Sequence, residues 1–272
     1  MKWRFCWAFL PFFGFVISLA AQNSELSKEV RQYVKVDAPK VVLLHVRVID
    51  GTGSAAIEDQ NVVIGKGAGV LTANDRATFL DLNGYTVMPG IVGMHNHLYY
   101  QRRPNLKSDW SGEDPLVLPQ MTFSAPRLYL AGGVTTMRTT GSVEPYADLN
   151  LRREIEAGKL PGPHIDVTGP YLEGSTSPYI QMYRLKDADD ARQLVNYWAD
   201  RGATSFKAYT DITREELKAA IEEAHSRGIK VTGHLCSVTY PEAIELGIDD
   251  LEHGFFVNTQ LDPDKKPDQC SG

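Results

Sequence analysis

Strands and helices alternate along most of this 272-residue chain, and several strands end on a histidine or a lysine. These two observations predict an α/β fold. The form expected is a (β/α)8 TIM-like barrel, incomplete with about six units present, behind a small flanking N-terminal β-domain. Repeated strand–helix units imply a parallel sheet. One metal-binding type of side chain at each of several strand ends favours a closed barrel over an open sheet, because a barrel gathers its strand ends at one rim.

The elements follow in order. Lys2 and Arg4 form a positive start, Phe5 to Leu19 is apolar but broken by Pro11 and Gly14, and Ser18-Leu19-Ala20 supplies small residues. This pattern predicts a signal peptide over residues 1–20, cleaved after Ala20. The apolar run is shorter than the roughly 18–20 residues a membrane span needs. No cysteine stands at the cleavage point, so a lipid anchor is not expected. The chain should be exported, periplasmic or extracellular, with no stable membrane anchor. Residues 21–39 are polar and read as a linker or loose helix. Residues 40–86 hold short strands at Val41–Ile49, Val62–Ile64 and Ala77–Leu82. Asp50-Gly51, Gly65 and Asn83-Gly84 end them as turn signals. They form the N-terminal part of the flanking β-domain.

Residues 87–272 read as the barrel. A strand at Val87–Met94 leads to His95 and His97, and a helix at Ala125–Ala131 stops at Gly132-Gly133. Val134–Met137 is a strand, Asp148–Ala157 a helix, and Ile165–Thr168 a strand. Asp187 begins a helix with Ala191, Leu194, Val195 and Trp198 on one face, ended by Gly202. Phe206 and Lys207 follow on a strand. Thr213 and Glu216 form a capping box, with Leu217, Ala220, Ile221 and Ala224 as the buried stripe. Val231–Leu235 is a strand, Pro241 opens a short helix that stops at Gly247, and Leu251–Gly254 starts a further strand.

A formal charge of −6 offers no basic field for nucleic acid. Beyond Cys6 in the leader only Cys236 and Cys270 remain. They make no disulfide framework and no zinc-ribbon pattern; Cys236 reads as a small apolar filler. A small-molecule substrate is the expected partner, and a homo-oligomer stays open.

His95 and His97 share a face because residues two apart on a strand do. Lys207, His234 and His253 arrive one per strand. The set reads as a metal centre for hydrolysis. His45, His164 and His225 read as structural, His225 at a helix C-terminus where a cation suits the dipole. Tyr99, Tyr100, Arg102 and Arg103 follow the histidine pair. Loops at that rim build substrate pockets, and arginines there suit a carboxylate; a solvated loop is the equal alternative. Arg138 and Tyr209 are further substrate-binding candidates, with rim packing as their alternative. Glu252 should point away from His253 and act as a salt-bridge partner.

Val-Met-Pro-Gly-Ile-Val-Gly-Met-His-Asn-His resembles the signature strand of the amidohydrolase superfamily. Gly132 to Arg138, and Glu242-Ala243-Ile244-Glu245-Leu246-Gly247 through Glu252-His253-Gly254, resemble segments that follow it there. The resemblance runs from about Val41 to Phe256 and points to the imidazolonepropionase-like branch. Ser205-Phe206-Lys207-Ala208-Tyr209 resembles the carboxylated-lysine prolidase and dipeptidase members. The resemblance implies hydrolysis of amide or cyclic-amide C–N bonds in dipeptide or N-acyl-amino-acid-like substrates. It implies two Zn2+ ions, or another divalent metal. His95 and His97 would hold the more buried ion, His234 and His253 the second, and a CO2-derived carbamate on Lys207 would bridge them. A free lysine is a cation with a pKa near 10.4 and a poor ligand. A bridging hydroxide would be the nucleophile. The family's eighth-strand aspartate has no counterpart, since Asp262 and Asp264 come too early, so the catalytic proton shuttle is unassigned. Two other readings stay open: a mononuclear imidazolonepropionase- or deaminase-like enzyme, and a truncated non-catalytic remnant.

Overall fold

The computed structural model describes residues 26–65, 76–99, 107–108, 113 and 116–270. The expected signal peptide, Tyr100, Arg102 and Arg103 lie outside the described residues. Two sheets organise the rest. In the N-terminal sheet β1 (Lys40–Val48) is central. It pairs antiparallel with β2 (Ile57–Gly65) and parallel with β3 (Ala77–Asp81) and β4 (Thr86–Val87). Val42 and Val46 of β1 are buried. Ahead of it, α1 (Lys28–Arg31) is capped by Ser27, whose backbone N–H donates to Gly158 O and whose hydroxyl donates to Lys159 O. The linker is thereby tied to the barrel.

The barrel begins with β5 (Ile91–Asn96) and continues α2 (Ala125–Ala131), β6 (Val134–Thr139), α3 (Pro145–Glu156) and β7 (His164–Leu172). It goes on through α4 (Ala188–Ala199), β8 (Ser205–Ala208), α5 (Arg214–Ser226), β9 (Lys230–Gly233), α6 (Tyr240–Glu245) and β10 (Asp250–Leu251). All six strands are parallel, in the order β10-β9-β8-β7-β6-β5. This is the incomplete barrel of about six units that the alternation predicts. Along β5, Ile91, Val92 and Met94 are exposed.

Helix faces follow their sequence pattern. Asp187 caps α4 by accepting from the Asp190 backbone, and Ala191, Val195 and Trp198 are buried. Thr213 and Glu216 complete the capping box of α5, which buries Leu217, Ala220, Ile221 and Ala224. Full burial of each large apolar side chain is worth about 1.5–3 kcal/mol. A second capping box, Thr239 with Glu242, starts α6 just ahead of Pro241. The α3 helix starts at Pro145, three residues before the expected Asp148, because proline suits a first helical turn where no N–H partner is needed.

Two expectations need correction. The single strand Val87–Met94 is divided: Thr86–Val87 joins the N-terminal sheet and Ile91–Asn96 joins the barrel. Pro89 has no N–H to give a ladder. Gly90 has no room for a side chain, since a Cβ there would lie 1.9 Å from Thr135 Oγ1. The cysteines also differ from expectation, because Cys236 and Cys270 form a disulfide, with Cα atoms 4.9 Å apart across 34 residues. After a 3-10 turn at Gly254–Val257 the chain returns over the β9–α6 connection. Thr259 Oγ1 donates to Cys236 O and Lys265 Nζ to Ser237 O. Asp268 accepts from the backbone N–H and guanidinium of Arg214. This return is a tertiary event that the spacing of two cysteines does not encode.

Candidate metal centre

Each candidate ligand sits at the C-terminal end of its strand. His95 is in the last turn of pleat in β5 and His97 one residue beyond it; Lys207 is within β8, His234 follows β9, and His253 follows β10. The structure brings the four imidazoles together. Ring centres of His95 and His97 are 5.2 Å apart, those of His95 and His253 4.5 Å, and those of His234 and His253 4.5 Å. The rings meet edge to face, at interplanar angles of 60–88°. They do not form a finished cage. Among the described residues no group of three or more His, Cys, Asp or Glu side chains is arranged to hold a metal ion.

The donor chemistry does fit a cation. Burial, with smaller pushes from Lys207 and neighbouring histidines, brings His97 down to about 3. Burial first and then the charges of His253 and Lys207 bring His234 to about 4, and burial with Lys207 does the same for His253. All three are therefore neutral at neutral pH, the state in which an imidazole can take a metal ion. Among the described residues His97 Nδ1 meets no partner at full hydrogen-bond geometry, although the Gly141 backbone acts on the ring as a weaker partner. Lys207 is 1% exposed, with Nζ 5.9 Å from the centre of the Tyr171 ring. Burial lowers its pKa to about 8 against the upward pull of Glu252. A lysine depressed in this way holds more of the neutral amine that reacts with CO2.

Glu252 departs from expectation in direction. It points into the barrel, 6% exposed, with Oε2 2.6 Å from His95 Nδ1. Oε1 accepts from Arg138 at 2.8 Å and from Thr232 Oγ1 at 2.7 Å. The reason is local. Asp250 and Glu252 share Arg138 and Thr232 as partners, so alternation along β10 carries both inward, and His253, in the left-handed conformation at φ 66°, breaks the alternation and faces the cluster as well. Burial would raise the Glu252 pKa, but hydrogen bonds from His95 and Thr232 and the charge of Lys207 bring it to about 2. Arg138 also pairs with Asp250 at 3.2 Å and donates from Nε to Met94 O at 3.0 Å.

Aromatic residues wall one side. His97 stacks on Tyr99 at 4.6 Å, Tyr99 Oη is 2.5 Å from Tyr171 Oη, and Tyr209 lies 4.6 Å from Tyr171 and 5.0 Å from His234. Tyr99 and Tyr171 are buried, whereas Tyr209 is half-buried. Arg102 lies outside the described residues. His45 and His225 are away from this cluster, paired with Asp59 and Asp249.

Sequence reasoning passed over Tyr171 and Glu173. Glu173 follows β7, is fully buried, and accepts from Thr210 Oγ1 at 3.1 Å and the Asp211 backbone at 3.2 Å. Burial raises its pKa to about 7. A glutamate directly after an apolar strand, in Gly-Pro-Tyr-Leu-Glu-Gly, was the available signal.

The fold agrees with comparison to known proteins. The chain belongs to the amidohydrolase family, whose sequence profile matches residues 86–262. Uncharacterised proteins of Mycobacterium tuberculosis and Mycobacterium bovis are 28% identical over 225 residues, covering 79% of this chain and 56% of their own length. A solved Xaa-Pro dipeptidase with methionine bound in its active site is 22% identical at a TM-score of 0.60. The match covers 80% of this chain and 62% of that one. Phenylurea hydrolase B is 20% identical at a TM-score of 0.62, over 81% of this chain and 61% of its own. At these identities the two solved structures show the fold alone. The chain thus spans little more than half the length of the curated relatives it matches. Among the described residues no helix is long and apolar enough to cross a membrane.

Proposed function

We propose that this chain carries the metal centre of a hydrolase that cleaves amide or cyclic-amide C–N bonds in small substrates of the dipeptide or N-acyl-amino-acid kind. The observation that carries the reading is the gathering of His95, His97, His234 and His253 around buried Lys207 at one barrel mouth. In this reading His95 and His97 hold one divalent ion, zinc being the first choice. His234 and His253 would hold a second, and Lys207, as its carbamate, would add an anionic oxygen donor to the set. Bound ions of this kind lower the pKa of water and polarise a carbonyl.

The chain's own residues supply the rest. Tyr209, half-buried and 5.0 Å from His234, is placed to meet substrate. Tyr99 packs behind it through Tyr171. Arg138 serves the site through Glu252. The Cys236–Cys270 disulfide supports export, since such crosslinks persist in oxidising compartments. N-terminal sequencing of secreted material that begins at Met1 would refute removal of a leader.

The test of function is to load the full chain with zinc and bicarbonate and screen Xaa-Pro dipeptides and N-acyl amino acids. Turnover that disappears in His95→Ala supports the reading. A protein that takes up no divalent metal overturns it.

A further inference from the structure

Glu252 stands at the edge of the histidine cluster rather than in it, and its two oxygens have different tasks. Oε1 accepts two bonds, from Arg138 and from Thr232 Oγ1. Oε2 faces a single partner, His95 Nδ1, at 2.6 Å. The Arg138 guanidinium can only donate, so a donor group in place of Oε1 would lose that bond. A carboxylate can only accept, so the contact at Oε2 requires the proton of a neutral His95 to reside on Nδ1. The lone pair is then on Nε2, the nitrogen left free for an ion.

We propose that Glu252 is a positioning residue that selects the His95 tautomer, with Arg138 and Thr232 orienting the carboxylate for that purpose. The inference rests on the reading of His95 as a metal ligand. Outer partners of ligating histidines fix tautomer and ring angle in this way, and their loss costs roughly 10–100-fold in metal affinity. Four separate strands meet in the arrangement: His95 is on β5, Arg138 on β6, Thr232 on β9, and Glu252 follows β10. Glu252 is buried to 6% exposure, so water does not compete freely for its oxygens.

Glu252→Gln gives an inverted outcome rather than a mere loss. Arg138 and Thr232 would keep the amide oxygen on their side, which turns the NH2 toward His95. An NH2 group donates, so His95 must accept at Nδ1 and carry its proton on Nε2. The ring stays in place, but the nitrogen aimed at the site is blocked.

The experiment uses the full chain labelled with 15N in its imidazoles, metal-free at neutral pH, with the His95→Gln spectrum to assign the His95 signals. In the neutral form of its ring, wild-type His95 should carry its proton on Nδ1, and in Glu252→Gln on Nε2. Thr232→Val, which leaves Glu252 an acceptor-only carboxylate, should keep the wild-type tautomer. Zinc titration should show an affinity loss of roughly 10–100-fold for Glu252→Gln. If the wild type binds no zinc, the functional reading fails while the tautomer result still stands or falls by itself. If zinc binds and Glu252→Gln keeps the wild-type tautomer, the positioning role is overturned. Should Glu252→Gln not fold, the wild type decides by itself: a neutral His95 with its proton on Nε2 overturns the role.

Discussion

His95 and Glu252 make a 2.6 Å contact, although they belong to opposite edges of the six-stranded sheet. His95 is on β5, and Glu252 immediately follows β10. Only a sheet that curls can bring its first and last strands together. The contact thus marks the point where the barrel's interior is already closed across its mouth, with Arg138 and Asp250 beside it. The same pair brings the first histidine of the cluster within reach of the last.

Loss of a first or last histidine should empty the centre. His95→Ala and His253→Ala each remove an imidazole from the row of rings spaced 4.5–5.2 Å apart. Zinc content by plasma mass spectrometry should fall in both, with affinity reduced at least about tenfold. Unchanged occupancy in both variants would sink the ligand assignment.

Lys207→Ala should lose one ion while retaining the other, and activity with it. Its burial leaves no water to replace the missing side chain cheaply. Bicarbonate with a short carboxylic acid should restore part of the activity by filling the vacated space. Full activity in the untreated variant would favour a single-metal enzyme.

Glu173 should make the protein less stable above neutrality. Burial raises its folded pKa from 4.5 to about 7. Between those values the folded state holds a proton that the unfolded state has lost, so the stabilisation is present at lower pH and disappears as pH rises through about 7. Above that, the ionised buried group costs at most roughly 3 kcal/mol. Glu173→Gln keeps an acceptor for the Asp211 N–H, and its NH2 can donate to the Thr210 hydroxyl, without the charge. Its stability relative to wild type, from urea melts, should therefore be greater at alkaline than at acid pH. An equal difference at both would show that the burial has no such effect.

Opening the disulfide should loosen the region around His234. The bridge closes a loop between residues 34 apart, for which chain entropy gives about 3–4 kcal/mol. Cys270→Ser should lower the melting temperature by calorimetry, and a dithiol reductant should do the same to the wild type only. Equal melting of oxidised and reduced wild type would contradict this.

The sequence discloses the barrel because its signals are local. Thr213 with Glu216 caps a helix within one turn, and Leu217, Ala220, Ile221 and Ala224 mark its inner face. The histidines are legible for a related reason: each ends a strand, and a barrel converts strand ends into neighbours. What stays hidden depends on long-range return or on a single dihedral angle. Cys236 meets Cys270 only through the path of the last segment. Glu252 and His253 face inward together only because His253 adopts a positive φ, and alternation read from His253 gives Glu252 the opposite face. Pro89-Gly90 was visible as a motif but not as the break between two sheets.

That break makes the histidine pair a neighbour of the N-terminal sheet in a mechanical sense. β4 ends at Val87 and β5 starts at Ile91, so three residues join a strand fixed to β1 with the strand that presents His95. Three residues span at most about 10 Å, which leaves no slack to absorb a shift. Thr135 closes on Gly90 from the barrel side, so the joint cannot widen by taking a larger residue either. A chimaera that grafts a foreign N-terminal sheet onto this barrel would have to reproduce the length and exit direction of the joint, or the graft would pull His95 out of line.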